Sequence, residues 1–326
     1  MHIMIALAPG STLQGRSFLQ ISDLTPEELA LLFSIAGELK KVRLTEQLPL
    51  LRGKTICMLF EKPSLRTRVS FETGMTQLGG HAIVAAGGDF LLGTREAPED
   101  AARALSRYVD AIVIRTHAHE PLERFAAAAT VPTINALSAS AHPCQALADL
   151  LTIKERFGTL AGLRIAYVGD ARNNMARSLT EAAVMCGMSL TFGCPPTHRP
   201  NEAWLTSLNA LGRPHKAVVR AITSPQRAVR EADVVYTDVW TSMGEEAYSE
   251  RNAAALLPYQ VNGALMKHAA PNAMFMHCLP AHRGQEVTDE VMDGISSVVF
   301  DQAENRLHAQ KALLLALLTD LRGILK

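Results

Sequence analysis

The run Thr55-Ile56-Cys57-Met58-Leu59-Phe60 is apolar throughout and stops abruptly at Glu61-Lys62-Pro63-Ser64. Continuous apolarity of this length reads as a strand buried on both faces, as parallel sheets require. Pro63 punctuates it, and Ser64 is a good N-cap for a helix reaching about Leu78. A strand feeding a serine-capped helix start leaves backbone N–H groups free, with the positive end of the helix dipole behind them. Such a junction can hold an anion before any side chain is counted. Ser64 and Thr67 add hydroxyls, and Arg66 adds a planar fork suited to phosphate oxygens. Residues two apart on a helix point about 200° apart, so Arg66 and Arg68 cannot both face one small anion. Arg66 is therefore assigned to the ligand and Arg68 to an ion pair with Glu72, one turn on. The segment alone is equally consistent with a capped helix bearing solvated arginines.

The same alternation recurs along the chain. Thr25-Pro26-Glu27-Glu28 is a capping box, and Leu29, Leu32, Phe33, Ala36 and Leu39 carry a helix to about Lys41. Strands are predicted at 81–85, 110–115 and 131–135, with a helix opening at Pro98 and another over 142–157. A second series has strands at 163–168, near Leu190, 217–221, 234–237 and 273–276, with a helix over 173–186. A last helix, 301–325, carries Leu307, Leu313, Leu314, Leu317 and Leu321 on one face. Short connections between strands and helices predict an α/β protein with two doubly wound parallel sheets. The expected organisation is a first domain over 1–141, a connecting helix over 142–158 and a second domain over 159–300. The C-terminal helix, 301–326, is expected to return to the first domain.

Composition narrows the function. Lys plus Arg equals Asp plus Glu at 32 each among 326 residues, so no global field exists to attract nucleic acid or an acidic membrane. An anion must be bound by a local site. The 48% apolar content supplies two cores, and 5% aromatics make them aliphatic. Five widely spaced cysteines without a Cys-x-x-Cys argue against a disulfide framework or a zinc site, and fit a reducing, cytoplasmic setting. No apolar run reaches transmembrane length, and the apolar start of the chain has no basic segment of a signal peptide.

Open α/β sheets bind ligands at the carboxyl ends of their strands, and polar residues collect there. Arg115 ends one strand; His142 and Gln145 lie on one face of the helix that follows. Gly169-Asp170-Ala171-Arg172-Asn173-Asn174 forms a strand-to-helix turn, but without the Gly-x-Gly-x-x-Gly of a dinucleotide site. Asp238 and Cys278 end two later strands. Taken singly, each has an ordinary structural reading: a satisfied histidine, an asparagine cap, a strand-end aspartate, a small buried thiol.

Taken together, the segments resemble one family. Ser-Leu-Arg-Thr-Arg after Phe-Glu-Lys-Pro, and His-Pro-Cys-Gln-Ala-Leu-Ala-Asp from His142, are similar to the two carbamoyl phosphate motifs of the transcarbamylases. Asp238 with Ser242-Met243-Gly244, and His277-Cys278-Leu279-Pro280, resemble the branch of that family using ornithine. The resemblance extends to Phe300-Asp301-Gln302-Ala303-Glu304-Asn305-Arg306. It implies that Ser64, Leu65, Arg66 and Thr67 hold the phosphate of carbamoyl phosphate. Arg115, His142, Gln145 and Arg306 would address its carbonyl end, stabilising the developing oxyanion. Leu65 stands where Thr is usual; a backbone N–H contribution tolerates this change, and a hydroxyl contribution does not. Asn174, Asp238, Ser242 and Met243 would hold L-ornithine, with Cys278 and Leu279 near the carbamoyl group and the δ-amine. Arg95, in Gly93-Thr94-Arg95-Glu96, would reach a neighbouring subunit's site in a homotrimer or a multiple of trimers. The implied reaction yields citrulline and phosphate in arginine metabolism, with no metal and no organic cofactor. A sister enzyme acting on putrescine or N-acetylornithine, and a non-catalytic sensor on the same scaffold, remain as alternatives. A nucleotide-binding oxidoreductase is suggested by fold alone.

Overall fold

The structure, a computed structural model, describes residues 13–42, 48–86, 91–241 and 249–321. The chain divides into two units, one containing residues up to Ala148 and from Glu304 onward, the other running from Asp149 to Ala303.

The first unit is built on a four-stranded parallel sheet ordered β2-β1-β3-β4. Its strands are β1 (Thr55–Phe60), β2 (His81–Ala86), β3 (Ala111–Arg115) and β4 (Thr133–Leu137). β1 from Ile56 onward and all of β3 are buried, as continuous apolar sequence dictates. β4 begins two residues later than expected and runs to Leu137. Pro132 has no N–H to give to the ladder; its carbonyl accepts from Ile112 instead, and Phe18 brackets Thr133 and Asn135. The helices are α1 (Pro26–Lys41), α2 (Leu65–Gln77), α3 (Pro98–Leu105), α4 (Glu120–Ala128) and the start of α5 (Pro143–Phe157). α1 starts at the expected capping box: Thr25 Oγ1 accepts from Glu28 N at 3.2 Å, and Glu28 Oε2 accepts from Thr25 N at 2.9 Å.

The second unit carries a five-stranded parallel sheet ordered β7-β6-β5-β8-β9. Its strands are β5 (Arg164–Val168), β6 (Ser189–Gly193), β7 (Val219–Ile222), β8 (Val234–Thr237) and β9 (Met274–His277). Between and after them lie α6 (Asn174–Met185), α7 (Glu202–Gly212), α8 (Pro225–Val229), α9 (Ser249–Leu256), α10 (Gly263–Met266) and α11 (Asp289–Met292). Tyr167 and Tyr236, from β5 and β8, stack with ring centroids 5.6 Å apart.

The last helix, α12, spans Val299–Leu318 rather than 301–325. It starts earlier because Val298 already accepts the first helical bond, from Gln302 N at 2.8 Å. It stops at Leu318, where the Thr319 hydroxyl donates to the Leu315 carbonyl at 2.6 Å. Residues of α12 from Glu304 belong to the first unit. There Gly74 admits the close approach of α12 to α2: a Cβ on it would lie 3.1 Å from Lys311 Cγ. A glycine inside a helix costs about 1 kcal/mol against alanine, and this contact accounts for it.

Both sheets have a topological switch point. In the first, the chain passes from β1 outward to β2 and then returns to the other side for β3. In the second, β5, β6 and β7 run one way, and β8 and β9 lie on the other side of β5. Ligand crevices in open parallel sheets form at the strand ends flanking such a switch. Those ends are Phe60 and Arg115 in the first unit, and Val168 and Thr237 in the second.

Candidate active site

In the first unit, the switch point carries the strand-to-helix junction. Ser64 sits at the N-cap of α2, but its side chain makes no capping bond; the hydroxyl accepts from Arg115 Nη1 at 3.1 Å. The expectation of a serine-capped helix is thus half met: the position is right, and the hydroxyl is used across the switch instead. The first helical bond runs from Arg68 N to the Ser64 carbonyl at 3.0 Å. The N–H groups of Leu65, Arg66 and Thr67 therefore have no carbonyl one turn earlier within the helix. Leu65 turns its side chain outward, 75% exposed, so what it offers at the helix start is its backbone N–H. Arg68 forms the expected ion pair with Glu72, at 3.4 Å.

Behind the helix start lies a buried polar group. Arg306 of α12 donates from Nη1 to Gln145 Oε1 at 2.7 Å and from Nη2 to Thr67 Oγ1 at 3.0 Å. Arg115, Gln145, His142, Thr67 and Arg306 are all buried. His142 is pushed well below the usual imidazole range, first by burial and then by the charges of Arg306, Arg115 and Arg66. At neutral pH it is an uncharged imidazole, able to donate one hydrogen bond but not to act as an imidazolium acid. The structure thus gathers Ser64, Arg66, Thr67, Arg115, His142, Gln145 and Arg306 around one junction. Arg95 is not among them. It stands exposed beyond the turn closed by Thr94 N and the Leu91 carbonyl at 3.1 Å.

Glu61, which the sequence reading passed over, organises the surroundings. Its carboxylate accepts from Leu92 N at 2.7 Å, Thr116 Oγ1 at 2.7 Å and His117 N at 2.9 Å. It holds the segment after β3 and the turn bearing Arg95 to the end of β1.

In the second unit, β5 turns at Gly169, whose φ of +124° suits glycine alone. Thr237 Oγ1 donates to the Val168 carbonyl at 2.7 Å, tying β8 to β5 at the switch. Asn173 caps α6, its Oδ1 accepting from Ala176 N at 2.7 Å. That fixes its amide, and Nδ2 donates to Asp238 Oδ2 at 3.2 Å. Asp238 Oδ1 accepts from Val239 N at 2.8 Å and from the Cys278 thiol at 3.0 Å. Among the described residues, the hydrogen bonds to this carboxylate come from neutral donors, an arrangement suited to a cationic ligand. Sequence reasoning named Asn174, which is half-buried at the first turn of α6, and missed its neighbour Asn173 as the residue that orients Asp238. Ser242 and Met243, expected to contact the amino acid, lie outside the described residues.

Leu279 adopts a left-handed backbone, φ +58°, uncommon for a leucine. Its N–H donates to His277 Nδ1 at 2.8 Å, while His277 Nε2 faces Glu286 Oε1 at 3.2 Å. A ring nitrogen that accepts from a backbone N–H carries no proton, so the hydrogen sits on Nε2. Asp238, His277 and Cys278 bring metal-ligand atoms within 4.8 Å of one another. Both nitrogens of His277 are nevertheless committed within the protein, so His277 is not available as a metal ligand here.

A cation-rich helix start in one unit and a held carboxylate beside a thiol in the other fit a dianionic and an amine-bearing ligand, respectively. Residues 16–155 match the family model for the carbamoyl-P binding domain of aspartate/ornithine carbamoyltransferase. Residues 161–317 match the model for its Asp/Orn binding domain. The chain is 50% identical over 307 residues to an ornithine carbamoyltransferase of Anoxybacillus flavithermus, covering 94% of this chain and 98% of the relative. It is 47% identical to the one of Bacillus subtilis, covering 94% and 95% of the two chains. The solved ornithine carbamoyltransferase of Pyrococcus furiosus superposes with a TM-score of 0.91 at 47% identity, covering 95% of this chain and 99% of that one. With the models of both domains matched along most of its length, the chain belongs to the aspartate/ornithine carbamoyltransferase family.

Proposed function

We propose that this protein is an ornithine carbamoyltransferase, converting carbamoyl phosphate and L-ornithine to L-citrulline and phosphate. The observation that carries the reading is the Arg115–Ser64 bond, which closes a helix start lined by Arg66 and Thr67 into a cradle for a phosphate. In this reading the N–H groups of Leu65, Arg66 and Thr67 and the Arg66 guanidinium bind the phosphate oxygens. Arg115, Gln145, neutral His142 and Arg306 address the carbonyl end. Asp238, with Asn174, Ser242 and Met243, binds the amino-acid end of ornithine, and Cys278 and Leu279 attend the δ-amine.

The neutral δ-amine donates its electron pair to the carbamoyl carbon, and a C–N bond forms. The carbonyl oxygen gains charge as the carbon becomes tetrahedral, and donors around it lower that barrier. The bond between the carbamoyl carbon and the bridging oxygen then breaks, phosphate leaves with that oxygen and the electron pair, and the former amine loses a proton to water. No enzyme nucleophile is involved; catalysis rests on position and field. The purified chain, supplied with both substrates, should form a ureido product detectable colorimetrically, and no product would refute the reading. Putrescine and N-acetylornithine serve as competing substrates; equal turnover of either would favour a sister activity.

The assembly belongs to the same proposal. Leu65 and Val69, four apart on α2, are exposed, and so is Ile83 on the edge strand β2. An apolar face of this kind suits a homotrimer in which Arg95 serves a neighbouring copy's site. Arg66→Ala and Arg95→Ala, each inactive, should recover activity when unfolded and refolded together. Mixed trimers without recovered activity would return Arg95 to its own subunit.

A further inference from the structure

The residue that sets Arg306 is one that neither the motifs nor the reaction scheme names. Gln310 lies one turn beyond Arg306 on α12 and is 1% exposed. Its amide faces a guanidinium that offers only donors, so the oxygen turns toward it. So oriented, Oε1 accepts from Arg306 Nη2 at 3.0 Å and from Nε at 3.1 Å, and the nitrogen donates to Ser70 Oγ at 2.5 Å. The Ser70 hydroxyl in turn donates to the Thr67 carbonyl at 3.1 Å. Gln310 thus grips one edge of the guanidinium while Gln145 and Thr67 also accept from it.

We infer that Gln310 is a positioning residue that fixes the orientation of Arg306 relative to the phosphate helix. Two features give the arrangement functional content. The acceptor is split over Nε and Nη2, which fixes the plane of the guanidinium as well as its position. The acceptors at Gln145, Thr67 and Gln310 are also all neutral, so they do not cancel the Arg306 charge, which adds to burial in lowering His142. A carboxylate at position 310 would hold the same plane and neutralise the same charge. Orientation and field can therefore be separated by substitution.

This inference rests on the proposed carbamoyl transfer, and its test distinguishes the two. Gln310→Met keeps the volume but removes the acceptor. It should lower kcat by about tenfold or more, because a misplaced group near the reacting atoms costs rate. Gln310→Glu keeps the acceptor and adds a negative charge. It should weaken inorganic phosphate binding by about tenfold in calorimetry, and raise KM for carbamoyl phosphate with it, at nearly unchanged Tm. A merely structural role would lower Tm in both variants and leave the kinetic constants of the folded fraction and phosphate affinity as in the wild type. That result overturns the inference. If Gln310→Met fails to fold, Gln310→Asn, whose shorter amide cannot reach the guanidinium, decides alone: wild-type kcat and KM overturn the inference. Weakened phosphate binding in Gln310→Met at wild-type Tm, with a wild-type chain that makes no ureido product, would uphold the positioning role and refute the reaction.

Discussion

The two units solve opposite recognition problems with the same topology. In the first, the switch between β1 and β3 presents helix-start N–H groups with Arg66, Arg115 and Arg306. In the second, the switch between β5 and β8 presents one carboxylate, Asp238, held by Asn173, Val239 and Cys278. A dianion with several oxygens suits many fixed donors, with the helix backbone supplying part of them. A single cationic amino group needs one acceptor whose charge is left uncancelled. The difference teaches that the fold supplies the place, and a few residues at the strand ends choose the sign.

The largest expected effect tests the first unit. Arg66→Ala should lose about 3 kcal/mol or more of transition-state stabilisation, read as kcat/KM for carbamoyl phosphate, since a charge-assisted pair with the phosphate is removed. Wild-type kcat/KM would remove Arg66 from the cradle. Next comes the second unit. Asp238→Asn preserves shape and deletes charge, and should raise KM for ornithine by about tenfold to a hundredfold, or about 1.5–3 kcal/mol. An unchanged KM would make Asp238 structural.

A further effect in the first unit is read in stability against pH. Lys311 of α12 is buried against α2 and donates to Gln77 Oε1 at 2.9 Å; burial pushes its pKa down to about 8. Its value in an unfolded chain is about 10.5, so between about pH 8 and 10.5 the unfolded state binds more protons and stability rises with pH. Below that window the full cost of the buried ammonium is present. Wild-type stability should therefore rise relative to Lys311→Met from pH 8 to 10.5; a constant difference would contradict the depressed value. The smallest effect belongs to Arg68→Ala, which should cost about 0.3–0.5 kcal/mol of stability and leave kcat/KM unchanged, because its pair with Glu72 is solvated.

Much of this was legible in the sequence, for reasons that differ between the units. The strand β1, the capping box of α1 and the phosphate helix follow from apolar runs and cap residues close together in the chain. Arg115 and His142 could be placed because strand ends and helix starts are where parallel sheets gather ligands. Glu61, Asn173 and Gln310 were not legible, because each acts through partners that only the fold brings near: Glu61 through Thr116, Gln310 through Ser70 and Arg306. Ser64 shows the limit most clearly. Its capping position follows from local rules, yet its hydroxyl serves Arg115, 51 residues away. The end of α12 was overestimated because leucines continue the helical pattern as far as Leu321, while Thr319 turns its hydroxyl back to close the last turn.

The account stands on the division of labour between the two strand-end clusters, and one double measurement addresses it. Calorimetry should record the affinities of carbamoyl phosphate and, in the presence of phosphate, of ornithine for the wild type, Arg66→Ala and Asp238→Asn. The account predicts that Arg66→Ala loses carbamoyl phosphate binding and that Asp238→Asn loses ornithine while binding carbamoyl phosphate as the wild type does. Equal loss of carbamoyl phosphate affinity in both variants would contradict it.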